Sequence, residues 1–309
     1  MIRQKNRETG RRGDGGRVNR SELTHSSRSP RPPVPPSPSP PHRPSKRLGQ
    51  HFLTDTRIID RIIQAMEPKP DETVVEIGPG RGALTARLVE KAGRVVAIEF
   101  DRNLIPVLLE KFGSRRNFKL VSSDALVTDF CSEILPAHEA RLVANLPYNI
   151  STAIVQRLIE QRNCLTEMVV MLQREVVDRI TAPASSTDRG YLSVWVEAYC
   201  ETEKLFDVAP EAFRPAPKVW SSVVRLKGRP RIAVDVEHED LLWQVVSAGF
   251  AQRRKTILNN LRQAPARLQE LIKLHGGASI ILCEAEVDLQ RRAETLALEE
   301  WGRIARTLA

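Results

Sequence analysis

The sequence lacks long apolar runs and clustered cysteines. None of its 309 residues belongs to an apolar run of about 18, so no segment is expected to cross a membrane. The four cysteines are widely spaced, without a Cys-x-x-Cys pair or a histidine at metal-ligand spacing. This spacing predicts neither a zinc site nor a disulfide framework, and it favours a reducing cytoplasm. The hydrophobic fraction of 41% and charged fraction of 28% are typical of a globular protein with one or two domains.

Residues 1–45 have few large apolar side chains. They hold nine of the 21 prolines, ten basic residues and three acidic ones, and they are expected to be disordered. The remaining chain carries 37 basic against 35 acidic residues, so the pI of about 9.7 mainly reflects this extension. It has no apolar segment typical of a secretory signal, and its acids and prolines argue against a targeting helix. Non-specific attraction to nucleic acid, a solvated extension and a wrongly assigned start codon are the interpretations left open.

A strand, a glycine-rich turn and a helix are predicted in succession. A β-branched run at 73–77 is followed by the turn at 78–83 and a helical stretch at 84–92. Such turns bring backbone N–H groups close to a ligand. The next strand-like run, 94–98, ends in Glu99, about 20 positions past the first glycine, where a carboxylate can bind ribose hydroxyls. This part of the sequence therefore predicts a nucleoside-binding site.

The glycine-rich turn alone leaves two classes of cofactor open. Gly78, Gly80 and Ala83 satisfy the dinucleotide fingerprint with alanine in third place, so a nicotinamide or flavin is one alternative. Glu76 lies just before the glycines, where S-adenosylmethionine enzymes commonly carry an acid. Asp124 follows the next predicted strand and is suited to an adenine amino group. These two carboxylates favour S-adenosylmethionine.

The tetrapeptide 145–148, Asn-Leu-Pro-Tyr, follows an apolar run at 141–144 that is typical of a buried strand. The Asn145 side-chain oxygen and the Pro147 carbonyl can both accept hydrogen bonds from a planar amino group, while Tyr148 offers a face for a base. The alternative is that the tetrapeptide forms an ordinary strand-to-loop turn. The position of the tetrapeptide directly after this strand disfavours that alternative. The tetrapeptide predicts a methyl-acceptor site for adenine N6, which hydride transfer would not require.

The alternation of strand-like and helical patterns over 46–229 predicts a doubly wound, Rossmann-like α/β methyltransferase domain. A helical face at 58–66 precedes its first strand. Apolar runs at 204–206 and 222–226 are expected to form a hairpin-like end to the sheet. Residues 230–309 carry helical patterns and predict a small helical domain. The predicted helices of that domain are 240–250, 256–261, 266–274 and 295–308.

The order and spacing of several motifs over about 260 residues resemble those of the ribosomal RNA adenine dimethyltransferases. The similarity is specifically to bacterial enzymes that dimethylate N6 of two adjacent adenines near the 3′ end of 16S rRNA. The matching segments are KRLGQHFL at 46–53, EIGPG at 76–80, EFD at 99–101, NLPYNIS at 145–151 and FRPAPKV at 213–219.

The resemblance implies S-adenosylmethionine as the methyl donor, no metal, and a role for each matching residue. The implied catalytic set is Asn145, Pro147 and Tyr148. The implied cofactor-binding residues are His51, Leu53, Gly78, Glu99, Asp124 and Asn145. His51 and Leu53 would contact the methionine part of the cofactor, although by residue type alone His51 would be a surface residue. Family members often have Asn at this position, and serines at 122–123 replace a more usual glycine before Asp124.

The positions of several cations suggest contacts with RNA phosphates. The candidates are Arg214, Lys218, Arg253, Arg254 and Lys255. Each of them taken singly could equally be a solvated surface charge. The segment 250–256, Phe-Ala-Gln-Arg-Arg-Lys-Thr, also resembles the C-terminal domain of the small-subunit enzymes. The macrolide-resistance methyltransferases of large-subunit RNA share the catalytic motifs but usually diverge there.

Three functions are consistent with the sequence. The favoured one is a monomeric, cytoplasmic dimethyltransferase whose partner is 16S rRNA within the small ribosomal subunit or its precursor. The second is an adenine methyltransferase of large-subunit RNA or DNA. The third is an RNA-binding ribosome-assembly protein that keeps the fold without catalysis, which the intact Gly78, Glu99, Asn145 and Tyr148 disfavour.

Overall fold

A seven-stranded sheet and one separate strand pair organise residues 50–309, the part of the chain that this computed structural model describes. The strands are β1 (Phe52–Leu53), β2 (Thr73–Ile77), β3 (Arg94–Glu99), β4 (Phe118–Ser122), β5 (Ala140–Asn145), β6 (Leu165–Gln173), β7 (Cys200–Val208), β8 (Phe213–Arg214) and β9 (Ser221–Gly228). The extension 1–45, predicted to be disordered, lies outside the described residues, as does the start of the motif at 46–53.

The spatial order of the large sheet is β4-β3-β2-β5-β6-β9-β7. Its first five strands are parallel, whereas β9 runs antiparallel to both β6 and β7. The β7–β9 pair confirms the predicted hairpin-like end. The chain runs outward from β2 to β4 and then returns to β5 on the other side of β2, so the strand order reverses between β2 and β5. Ligands of open α/β sheets bind beyond the carboxyl ends of the strands at such a point.

Helices follow most strands and make up the C-terminal segment. Those up to the last strand are α1 (Thr56–Met66), α2 (Thr85–Lys91), α3 (Ile105–Phe112), α4 (Phe130–Glu133), α5 (Ser151–Glu160), α6 (Arg174–Ile180) and α7 (Tyr191–Tyr199). The later ones are α8 (Glu239–Gly249), α9 (Ile257–Arg262), α10 (Ala266–Leu274), α11 (Ala278–Glu284) and α12 (Leu298–Thr307). The helical character predicted for 230–309 is confirmed. Helix α11 was not among the helices predicted for this segment.

The central strands are buried on both faces, as expected for a parallel sheet covered by helices. Alternate residues of β2 and β3 enter two different apolar clusters, since successive side chains point to opposite faces. Val75 and Val96 pack on the face covered by α5, and Val74 and Val95 on the face covered by α1. The first cluster continues from β9 to Trp301 in α12. The division proposed at 229–230 therefore marks a change of secondary structure, while apolar packing continues across it.

The cysteines correct one sequence-based prediction. Cys131 in α4 and Cys164 just before β6 form a disulfide, with their Cα atoms 5.6 Å apart, although no disulfide was predicted. The two cysteines are 33 positions apart; the intervening residues include β5 and α5, and this βα unit returns the chain to the same end of the sheet. Cysteine spacing along the sequence could not reveal that return. Cys200 and Cys283 are free.

No helix within residues 50–309 is both long and apolar enough to cross a membrane. The same residues contain no group of three or more histidine, cysteine, aspartate or glutamate side chains that could hold a metal ion.

Candidate active site

The carboxyl ends of β2, β3 and β5 surround a cavity of about 300 Å³. The register that pairs Ile77 with Ala144 makes the next two residues, Gly78 and Asn145, neighbours across the strand-order reversal. A Cβ atom built on Gly78 would lie 3.9 Å from the Asn145 carbonyl oxygen. The sequence-predicted residues that line this cavity are His51, Gly78, Glu99, Asp124, Asn145, Pro147 and Tyr148. Leu53 does not line it, because its side chain is buried in the core with Phe213, its partner across β1 and β8.

The glycine turn needs residues without side chains at several positions. Gly78 and Gly80 have φ angles of 64° and 59°, in the left-handed region that side chains disfavour. A Cβ atom on Gly80 would also lie only 3.1 Å from the Phe52 ring of β1. The Gly80 N–H donates to Glu99 Oε2 at 3.1 Å. The turn is thus fixed between β1 and the end of β3, with its main chain against the cavity.

Glu99 presents a buried carboxylate whose two oxygens are already oriented. Oε2 accepts from Gly80 N, and Oε1 accepts from Asp101 N at 2.8 Å. Burial raises the pKa of Glu99, and these backbone bonds oppose that shift. Because each carboxylate oxygen has a second lone pair, both can still accept a hydroxyl donor. The arrangement suits the two adjacent hydroxyls of a ribose.

The far end of the cavity can hold a planar, amino-bearing ring. Asp124 Oδ1 accepts from Leu126 N at 2.9 Å, and Oδ2 has no partner within residues 50–309. Phe100 is 58% exposed and lines the same cavity. An aromatic ring beside a free carboxylate oxygen can stack on an adenine and accept from its amino group. Sequence analysis missed Phe100, although its position directly after Glu99 was a usable signal.

The charge of the cavity distinguishes between the two cofactor classes. Among the described residues that line it, three are acidic, Glu99, Asp101 and Asp124, and none is lysine or arginine. A pyrophosphate would meet repulsion there, whereas a cationic ligand would be attracted. Gln50 belongs to the same wall, where its Nε2 donates to Asp101 Oδ2 at 2.8 Å. The lining therefore favours a nucleoside with a positive charge over a dinucleotide.

Asn145 is oriented by the segment that precedes α1. Its Nδ2 donates to the His51 carbonyl at 3.1 Å. With the amide donor engaged, Oδ1 is the remaining acceptor, and it has no partner within the described range 50–309. The Pro147 carbonyl accepts one long bond, from Ile150 N at 3.3 Å, and keeps a second lone pair. Two acceptors are therefore available beside the cavity.

Tyr148 is held at both its hydroxyl and one ring face. The hydroxyl lies 2.5 Å from Ser221 Oγ, a contact that sequence analysis missed because Ser221 is 73 residues away. Burial raises the pKa of Tyr148, so the phenol stays protonated at neutral pH. The His51 ring stacks on Tyr148 with centroids 5.6 Å apart, and its Nδ1 lies 2.8 Å from the Pro215 carbonyl. His51 therefore covers a Tyr148 face in this structure.

Glu76 supports the glycine turn without lining the cavity. The carboxyl is 2% exposed, and Thr85 Oγ1 donates to its Oε2 at 2.7 Å. This bond joins the end of β2 to the first residue of α2 across the turn. Burial raises the pKa of Glu76 to about 8, with the nearby Glu99 carboxyl adding to the rise. Glu76 thus keeps its proton to a higher pH than an exposed carboxyl does.

The five RNA-binding candidates differ in how far protein contacts engage them. Arg214 donates to the carbonyls of Glu211 and Phe213, and Arg253 donates to the Thr187 carbonyl. Three exposed candidates have no side-chain hydrogen-bond or ion-pair partner within residues 50–309; these are Lys218, Arg254 and Lys255. The last three are the cations most available to an outside anion.

Known proteins resemble this chain over most of its length. Residues 42–303 match the family described as "Ribosomal RNA adenine dimethylase". "Ribosomal RNA small subunit methyltransferase A" of Hahella chejuensis is 43% identical over 264 residues, covering 85% of this chain and 92% of that protein. The protein of the same name from Moorella thermoacetica is 44% identical over 273 residues, covering 86% of this chain and 92% of that protein.

Two solved structures share the fold. The 23S rRNA methyltransferase ErmE has a TM-score of 0.63 and 27% identity, covering 83% of this chain and 99% of its own. A dimethyladenosine transferase from Plasmodium falciparum has a TM-score of 0.69 and 23% identity, covering 82% of this chain and 96% of its own.

Proposed function

The chain belongs to the ribosomal RNA adenine dimethylase family, and we propose that it dimethylates N6 of two adjacent adenines near the 3′ end of 16S rRNA. The observation that carries the proposal is the convergence of Asn145, Pro147 and Tyr148 at the mouth of an acidic, nucleoside-sized cavity. Relatives 37–44% identical to this chain are named small-subunit methyltransferases, which supports the choice of rRNA.

S-adenosylmethionine fits the cavity and would supply an electrophilic methyl group on a sulfonium. Glu99 would bind its ribose, and Asp124 with Phe100 its adenine. The acidic lining suits its positive charge and disfavours the pyrophosphate of a nicotinamide or flavin dinucleotide. His51 and Gly78 would approach the methionine part. Leu53, whose side chain is buried, would contribute through its main chain.

Asn145 and Pro147 would activate the acceptor. The lone pair of an adenine N6 is delocalised into the ring, which makes the amino group a poor nucleophile. Asn145 Oδ1 and the Pro147 carbonyl, accepting from its two N–H groups out of plane, would favour a more tetrahedral nitrogen. The remaining requirement is alignment for in-line transfer. No base is needed, since the methylated nitrogen becomes acidic and loses its proton to water.

Tyr148 would hold the extruded adenine by stacking, with its phenol protonated and fixed by Ser221. Because His51 covers a Tyr148 face in this structure, we propose that the incoming base displaces this imidazole. The free cations Lys218, Arg254 and Lys255 would pair with phosphates away from the reacting base.

The rival enzyme function is methylation of large-subunit rRNA. The likeness to ErmE, a 23S rRNA methyltransferase, over 83% of this chain is the observation in its favour. The higher identity to small-subunit relatives, over a similar share of the chain, outweighs it. Retention of Asn145, Tyr148 and Glu99 in one cavity disfavours a purely structural RNA-binding protein.

The proposed setting is the small ribosomal subunit or its precursor, bound by a monomer in the cytoplasm. The cysteine pattern no longer supports that location, because Cys131 and Cys164 form a disulfide and disulfides are rare in reducing compartments. The proposed location follows from the rRNA substrate alone.

The decisive experiment offers the full chain and a labelled methyl donor to three substrates. These are unmethylated small subunits, naked 16S rRNA and large subunits. Mass spectrometry would locate the modified bases. We expect two adjacent dimethyladenosines near the 3′ end of 16S rRNA from the small subunits. Label confined to 23S rRNA would establish the rival enzyme function, and binding without methylation would establish the assembly-protein function.

A further inference from the structure

Trp220 differs from the other tryptophans in the part of the chain that the structure describes. The other three pack against aromatic rings: Trp195 and Trp243 against Tyr199, and Trp301 against Phe250. Trp220 has neither an aromatic nor a cation–π partner within residues 50–309, and it is 47% exposed. The preceding Val219 is 44% exposed. A large apolar surface therefore faces outward at this point.

The main chain under Trp220 is fixed on both sides. Its carbonyl accepts from Arg174 N at 2.9 Å, which ties it to the start of α6. The next residue, Ser221, is fully buried and binds the Tyr148 hydroxyl through Oγ. Consecutive Cα atoms are about 3.8 Å apart, so Trp220 lies one such step from the residue that anchors the base-stacking Tyr148. An aromatic side chain on a fixed main chain is a preorganised contact surface.

Cations border this surface. Lys218, two residues before Trp220, is exposed without an ion-pair partner among residues 50–309, and the Arg174 side chain, 51% exposed, lies 4.0 Å from Asp178. Proteins that bind single-stranded nucleic acid combine aromatic platforms for bases with cations for phosphates. Lys218 therefore supplies an available cation next to the aromatic ring of Trp220.

We propose that Trp220 stacks on the unpaired rRNA base next to the target adenine and positions that adenine for Tyr148. The inference rests on the proposed function. The two modified adenines are adjacent, so a neighbouring base must lie close to the acceptor site whenever either adenine is inserted. Trp220 would hold this neighbour and thereby set which nucleotide enters. It is a specificity-determining residue and makes no contact with the reacting atoms.

The test compares Trp220→Ala, Trp220→Phe and, as an exposed apolar control, Leu274→Ala, at a position 82% exposed in α10. Single-turnover transfer to unmethylated small subunits gives the half-saturating subunit concentration. We expect Trp220→Ala to raise it roughly 5- to 100-fold, the range for loss of one base–aromatic stack. Trp220→Phe should raise it less than fivefold, because phenylalanine keeps a ring. Leu274→Ala and the affinity of every variant for S-adenosylmethionine should match wild type.

Indole fluorescence gives a readout that does not depend on turnover. An RNA hairpin whose loop carries two adjacent adenines should quench wild-type emission, and Trp220→Phe should remove most of that quenching. Unchanged half-saturation in Trp220→Ala, or equal quenching in Trp220→Phe and wild type, would overturn the inference. Absence of methyl transfer by wild type would instead refute the proposed function, so the two failures are distinguishable.

Discussion

The Tyr148 hydroxyl lies 2.5 Å from Ser221 Oγ and joins the loop after β5 to the first residue of β9. This bond links the acceptor tetrapeptide to the antiparallel end of the sheet. The Tyr148 ring therefore has a position that its own loop does not determine alone.

The Tyr148–Ser221 bond should orient the ring without taking part in proton transfer. Tyr148→Phe and Ser221→Ala should each slow single-turnover methyl transfer by about 2- to 10-fold, the value of one neutral hydrogen bond. The double variant should be no slower than either, since both remove the same bond. Tyr148→Ala should lose more, because it also removes the stacking surface. Rate losses that multiply in the double variant would show that the two side chains act independently.

Asn145 should act on the reaction rate and leave rRNA affinity unchanged. Asn145→Ala should reduce single-turnover transfer by roughly 10²–10³, the effect of removing one preorganised polar partner. Asn145→Asp is the shape-matched comparison, and it should also be impaired because a carboxylate cannot donate to the His51 carbonyl. Small-subunit binding, measured by filtration, should be that of wild type. Full activity of Asn145→Ala would remove this residue from the mechanism.

Glu99 should determine cofactor affinity. Glu99→Ala should weaken S-adenosylmethionine binding by about 2–3 kcal/mol, since charge-assisted hydrogen bonds to the ribose would be lost. Glu90→Ala, at an exposed acid in α2, is the matched control and should bind like wild type. Isothermal calorimetry measures both. Equal affinities of Glu99→Ala and wild type for S-adenosylmethionine would contradict the cofactor assignment. Tighter binding of NAD than of S-adenosylmethionine by wild type would also contradict it.

The free cations should dominate the salt dependence of small-subunit binding. Replacing Arg254 and Lys255 with glutamine should make the slope of log affinity against log salt shallower. The expected change is that for the loss of about two phosphate contacts. Arg253→Gln should also perturb packing, because this guanidinium donates to the Thr187 carbonyl. The midpoint of thermal unfolding of each variant distinguishes a loss of packing from a loss of phosphate contacts. If the double variant retains the wild-type slope, these cations are solvated surface charges.

Buried Glu76 should make stability depend on pH. Its folded-state pKa of about 8 exceeds the ordinary 4.5, so between these values only the folded state keeps the proton. The free energy of unfolding should therefore fall as pH rises across that window, by about 3–5 kcal/mol at most, and level off above it. Glu76→Gln should remove this component, so the variant gains stability relative to wild type toward pH 8. Urea unfolding of both proteins at several pH values tests this. A difference in free energy of unfolding between Glu76→Gln and wild type that stays constant with pH would refute it.

Sequence alone determined the features that depend on neighbouring residues. The β-branched runs at 73–77 and 94–98 formed strands because short apolar segments between turns bury well in a parallel sheet. The turn starting at Gly78 and the acid at Glu99 were found because strand, turn and helix follow directly in the chain. Their assignment to one nucleoside site followed from a general property of such sheets.

Tertiary structure decided the contacts between distant segments. The sheet brings His51 to Asn145 across 94 residues and Ser221 to Tyr148 across 73, and no local pattern encodes either pair. The Cys131–Cys164 disulfide and the burial of Leu53 were unpredicted for the same reason. Periodicity specifies which face of an element is apolar, whereas only the packing of complete elements specifies which side chains meet.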